Sequence, residues 1–198
     1  MAVQPGRRER LLDAAIELVG VQGLTALTHR AVDAAAGVPT GTTSNYWRTR
    51  QALLDALIDR VVARERDRWE QLTQATFPST ARELAGTLAV LARVATGPDR
   101  ALVLARYALL IEAAQHEDVR PRLAAGGQRV NARFRTWMRL VGSSDPDHDM
   151  HVVANYWTGL VLHQLALPDP RFDPTDHLTG LLTSLIPAAA PAVRRGAP

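Results

Sequence analysis

The 198-residue chain has no cysteine, which excludes disulfides and thiolate metal sites. It has no lysine either, so all 23 of its basic residues are arginine. A preference for arginine at phosphates does not explain a total absence of lysine; the codon bias of a GC-rich genome does. No apolar stretch approaches the roughly 18 residues that span a bilayer. The N-terminus, MAVQPGRRER, has no apolar run after its basic residues, so it does not read as a signal peptide. Together these absences point to a cytoplasmic protein with no membrane partner. Net charge is also modest, only +3, and gives little argument for nucleic acid by itself. Its distribution says more: Arg7, Arg8, Arg10, Arg30, Arg48 and Arg50 all fall in the first fifty residues and outnumber the acids there.

Familiar catalytic signatures are missing as well. There is no GxSxG, no phosphate-binding P-loop, no GxGxxG and no HExxH. His148 and His151 flank Asp149 at a spacing that could suit a metal, but after Asp145-Pro146 they read as the polar start of a helix. Glu112 sits in the apolar run Tyr107–Ala114 and is expected at the surface. No catalytic residue, cofactor or metal is expected, and an all-helical enzyme built on His163, Glu112 or the His148–His151 group has no nucleophile–base pair behind it.

What the chain does have is Ala, Leu and Arg in abundance and few β-branched runs, which favours helix throughout. A first helix is expected from about Pro5 to Val21, with Leu11, Leu12, Ala15, Leu18 and Val19 on one face and Gly23 as its stop. Thr28 is a good N-cap for a second, ended by Gly37. Pro39 suits the opening of a third, over about 40–47. A long amphipathic helix follows over about 51–76, carrying Leu54, Leu57, Ile58, Val61, Trp69 and Leu72. Further helices are expected at about 80–95, 99–116, 119–141, 146–167 and 175–186, about nine in all, with a frayed tail over 188–198.

Two short helices around the tight turn Gly37-Val38-Pro39 make a helix-turn-helix, whose second helix is the size to enter a major groove. That helix is polar where a surface helix would carry charges: Thr40, Gly41, Thr42, Thr43, Ser44, Asn45 and Tyr46. Hydroxyls and amides can read base edges, small residues allow close approach, and threonine methyls can touch thymine methyls.

From Leu27 to Trp47, the order LTHRAVDAAAGVPTGTTSNYW resembles the helix-turn-helix of the TetR family of bacterial transcriptional regulators. Arg50, Leu53 and Leu54 match the basic residue and paired leucines that open that family's fourth helix. The resemblance is strong over about residues 5–65; beyond that, length and helical character agree. It implies an all-α fold with an N-terminal DNA-binding domain (5–65) and a larger helical domain for effector binding and dimerisation (66–187). It implies a homodimer on a double-stranded inverted-repeat operator, most simply a repressor, with a constitutive DNA-binding dimer as the alternative. By position, Thr28 would cap the second helix and touch phosphate. Arg30 would contact base or phosphate, Thr40, Thr42 and Ser44 would face the groove, and Tyr46 and Arg50 would hold the backbone. Pro39 stands where the family commonly has a small polar cap, so that Thr40 is expected to cap its own helix. Ser44 stands where tyrosine is frequent, and Trp47 where phenylalanine is typical.

In the larger half, Trp69, Leu72, Tyr107, Ile111, Phe134 and Trp137 are the expected walls of an effector pocket, for an apolar or aromatic molecule. The last two helices carry more apolar surface than a lid needs, including Val152, Tyr156, Leu160 and Leu181. A four-helix seam between two subunits would bury it.

Overall fold

The computed structural model describes residues 6–186, so the tail expected over 188–198 lies outside it. Among the described residues there are nine α-helices, a single 3-10 turn and no strand. Helix α1 spans Arg7–Gln22 and starts at Gly6, whose N–H donates to the Glu9 carboxylate at 2.8 Å. It stops at Gly23, where a φ of +80° suits only glycine. After the 3-10 turn Leu24–Ala26, α2 (His29–Ala35) opens at Thr28, whose hydroxyl accepts from the Ala31 N–H as expected. Then come α3 (Thr42–Tyr46), α4 (Arg50–Thr73), α5 (Ala81–Thr96), α6 (Arg100–Gln115), α7 (Arg120–Leu140), α8 (Pro146–Ala166) and α9 (Thr175–Leu185). The third helix begins two residues later than the sequence pattern predicts. Gly41 takes a φ of +93° and serves as the N-cap, which leaves Pro39 and Thr40 in the turn. Thr40 therefore does not cap its own helix.

The chain packs as two compact units that do not follow the sequence order. Among the described residues the first takes 6–76 together with Arg93–Arg133; the second takes Phe77–Ala92 and 134–186. Helix α6, which the division drawn from sequence places in the larger half, packs on α1 and α4.

In the first unit Leu11, Ala15 and Ile16 of α1, Leu53, Leu57, Ile58 and Val61 of α4, and Leu102, Ala105 and Leu109 of α6 form one core. Each leucine so buried is worth about 1.5–3 kcal/mol of transfer free energy. The polar face of α4 is tied to its neighbours by charge. Arg60 donates twice to Asp13 of α1, both at 2.8 Å. Glu65 accepts from Arg106 of α6 at 2.8 Å, and Arg68 donates to Asp99, the residue before α6, at 2.6 Å. Asp59 meets Arg122 of α7 at 3.1 Å. Arg66 pairs with its chain neighbour Asp67 at 2.7 Å.

In the second unit Leu84, Leu88, Phe134, Trp137, Met138, Met150, Val153, Leu178 and Leu182 are buried. Phe134 and Trp137 meet edge to face with centroids 6.5 Å apart. The Trp157 indole N–H donates to the Leu88 carbonyl, and buried Asp149 accepts from the Ser143 hydroxyl at 2.6 Å. Asp145 caps α8 through the His148 N–H, so the His148–Asp149–His151 group is a helix start, as read. No cluster of metal-binding side chains occurs among the described residues, and none of their helices is long and apolar enough to cross a membrane.

Candidate DNA interface and effector cleft

A five-residue helix is too short to hold itself together in water. What holds α3 is Asp33 on α2, 2% exposed. Its carboxylate accepts from the Gly41 N–H at 2.7 Å, the Thr43 N–H at 2.7 Å and the Thr43 hydroxyl at 2.5 Å. Two of the orphan N–H groups at the start of α3 are thus satisfied by a charge on another helix. Burial alone would raise the pKa of Asp33. The hydrogen bonds from Thr43 and Gly41, with the nearby His29, outweigh it and hold the carboxyl below its ordinary range. The far end of α3 is fixed too: His29 Nε2–H donates to the Trp47 carbonyl at 2.7 Å. Neither Asp33 nor His29 stood out in the sequence, because each acts on a residue eight or more positions away.

This clamp decides which side chains face out. Thr28, Arg30, Thr40, Asn45, Tyr46 and Arg50 are exposed, and Gly41, Thr42 and Ser44 are half-buried. Thr43 is the exception and a correction: it is fully buried and its hydroxyl is spent on Asp33, so it supports the reading helix and does not read bases. Thr42 and Ser44 fold their hydroxyls back onto the turn, donating to Pro39 and Gly41 carbonyls at 2.6 and 2.9 Å. Arg50 is exposed and donates to the Leu24 carbonyl at 3.3 Å. Arg8 lies over both rings at the end of α3, 5.8 Å from the Tyr46 centroid and 5.4 Å from that of Trp47. Arg8, in the first turn of α1, is therefore tied to the end of α3 by cation–π contact.

The chain region from residue 11 to 57 matches the model for bacterial regulatory proteins of the tetR family, and residues 79–188 match the tetracyclin repressor-like C-terminal domain. The chain belongs to the TetR family. It is 28% identical over 148 residues to the HTH-type transcriptional regulator BetI of Rhizobium meliloti (strain 1021), covering 73% of this chain and 70% of that protein. Among solved structures it resembles the multidrug binding protein EbrR complexed with ethidium, with TM-score 0.68, 27% identity, 92% of this chain and 100% of that one. A transcriptional regulator from Rhodococcus sp. Rha1 shares the fold at TM-score 0.75 and 16% identity, covering 91% and 96%. As a TetR-family protein with this helix-turn-helix, the chain is a DNA-binding transcriptional regulator.

The expected effector residues are dispersed. Trp69 and Leu72 of α4 and Tyr107 of α6 are half-buried in the first unit, whereas Phe134 and Trp137 are core residues of the second. Ile111 is corrected outright: at 63% exposure it is not part of a closed wall. Of the six, only Trp69 borders the cleft at the end of α4, a space of about 520 Å³ lined also by Arg66, Asp67, Glu70, Gln71, Gln74, Val130 and Arg133. Arg133 donates to the Thr73 carbonyl beside it. Both signs of charge line this cleft, Arg66 and Arg133 against Asp67 and Glu70. One residue before Arg66 in the chain, burial pushes the Glu65 carboxyl up to about 7 against the pull of Arg106.

Proposed function

We propose that this TetR-family regulator is a dimeric repressor released from an inverted-repeat operator by a small aromatic effector carrying polar groups. The observation that carries the reading is the α3 helix: polar, outward-facing and clamped at both ends by Asp33 and His29. A helix that reads a groove must be rigid before it arrives, or ordering it would cost affinity. Thr28, Arg50 and the basic first turn of α1 take the phosphates; Thr40, Thr42, Ser44 and Asn45 face the bases.

Dimerisation is supported by α8 and α9. Val153, Val161, Leu165, Leu178 and Leu182 are consumed within their own unit, but Tyr156, Leu162 and Leu167 are 40%, 46% and 66% exposed, and Leu160 and Leu181 are half-buried. An isologous contact buries that patch twice over. The effector is supported by the cleft beside Trp69 and by the likeness to EbrR, solved with ethidium. An aromatic ring would stack on the indole, and its polar groups would meet Arg66, Glu70 or Gln74. Coupling of this kind is typically 1–3 kcal/mol, about 5- to 150-fold in DNA affinity.

The test is a gel shift on DNA flanking the protein's own gene, repeated with the hits of a thermal-shift screen of aromatic compounds. The reading requires a shifted complex, and at least one compound that releases it from the wild type but not from Trp69→Ala. A complex that no Trp69-dependent compound disturbs leaves a constitutive DNA-binding dimer.

A further inference from the structure

Helix α1 packs closely on α6, and at one point the two backbones touch. A methyl added at Gly20 would lie 2.3 Å from the Ala101 carbonyl oxygen and 2.8 Å from its C and Cα atoms. Only backbone stands in the way, so no rotamer change relieves the clash. To move from 2.3 Å to beyond 3.0 Å the helices must part by at least 0.7 Å. Gly20 is otherwise a poor choice: it sits within α1 without a positive φ, where alanine would favour the helix. Its value lies in the close approach.

The two ends of this seam lead to the two sites. Ala101 lies in the first turn of α6, and Asp99 just before it is held at 2.6 Å by Arg68, the neighbour of Trp69 in the cleft. From Gly20, α1 runs about 18 Å back to Arg8, at 1.5 Å per residue, and Arg8 lies on Tyr46 and Trp47. Between them α1 is one unbroken helix, its buried face from Leu11 to Gly20 in a core shared with α4 and α6 and its first turn exposed.

We propose that Gly20 is the positioning residue of the DNA-reading head. Its backbone contact with Ala101 sets the distance of α1 from α6, and the Arg68–Asp99 bridge carries the state of the α4 cleft to that contact. The inference rests on the paired-head reading given above and adds the pivot to it. Forcing the seam apart at Gly20 displaces each head, and in a dimer the displacement appears as a change in the preferred spacing of half-sites. A loss of stability alone lowers affinity for all spacings equally.

The experiment is Gly20→Ala on a set of duplexes carrying the selected wild-type half-sites with the spacer shortened or lengthened by one and two base pairs. The expected result is a folded variant whose best spacing differs from that of the wild type, or whose preference for it falls at least tenfold. An unchanged spacing profile overturns the proposal, whatever happens to overall affinity. A spin label at exposed position 48 reads the distance between heads without DNA; the variant should shift or broaden it by several Å, and an identical distribution also overturns the proposal. A wild type with no intersubunit dipolar signal and no spacing preference instead removes the paired-head reading, and this pivot with it. If Gly20→Ala does not fold, Asp99→Asn, which frees the start of α6 without adding an atom to the seam, takes its place under the same criteria.

Discussion

Replacing Asp33 by alanine removes the acceptor of three hydrogen bonds and leaves the Thr43 N–H and hydroxyl buried with no replacement. A hydrogen bond to a charged group is worth about 1.5–3 kcal/mol, and the three share one carboxylate, so their sum is not additive. Loss of an N-cap alone costs about 1 kcal/mol. The expected destabilisation is about 3 kcal/mol, within the range for breaking a buried polar network. Thr43→Val removes only one of the three bonds and should cost about 1 kcal/mol. Asp33→Asn falls between them, because its amide meets N–H donors with a donor of its own. Urea unfolding followed by circular dichroism at pH 7 measures all three. The pH dependence supplies an internal check. A carboxyl whose pKa is depressed in the folded state contributes in full above its unfolded value of 3.8 and loses that contribution as pH falls through the lower folded value. The gap between wild type and Asp33→Ala should therefore be flat at neutral pH and narrow only in strong acid. An Asp33→Ala protein within 0.5 kcal/mol of wild type, or a gap that closes between pH 7 and pH 5, would refute the clamp.

Glu65, with its pKa pushed up to about 7, has the opposite sign: folding favours its protonated form, so stability falls as pH rises from about 4.5 to 7. Glu65→Gln should flatten that slope and match or exceed wild-type stability at pH 8, by about 1 kcal/mol once the partial exposure of the Arg106 pair is allowed for; a loss of several kcal/mol there would contradict the assignment. Arg50→Ala should weaken binding to every duplex and lower the salt slope by about one unit, whereas Thr42→Ala should relax preference at one base pair and leave the slope nearly unchanged; identical salt titrations would show that phosphate and base contacts are not separated as described. Leu160→Glu should give a monomer by sedimentation and lose tight operator binding in the same step; a monomeric wild type at micromolar concentration would remove the dimer altogether.

The helices were legible because their ends are written locally. Thr28 caps through its own side chain, Gly23 and Gly37 take the positive φ that stops or turns the chain, and Asp145-Pro146 opens α8. What the sequence did not show is long-range. Pattern alone could not tell that Asp33 reaches eight and ten residues ahead to hold α3, and so could not tell that Thr43 points inward among outward-facing neighbours. Nor could it show that Gly41 delays the helix Pro39 appeared to open, because φ at a glycine is set by its surroundings. Ile111 falls in an apolar run whose periodicity is too weak to separate wall from surface. The packing of α6 on α1, and the role of Gly20 in it, join residues some eighty positions apart.

The most direct test is selection of duplexes from a random pool by the full-length protein at physiological salt, followed by footprinting of the enriched sequence. If α3 reads bases, selection should converge on an inverted repeat whose half-sites lie one helical turn or slightly more apart. That site should be bound at least a thousandfold more tightly than random DNA, and Asp33→Ala should erase the preference. A pool that stays random, bound only through a salt-sensitive term equal for all sequences, would contradict the account.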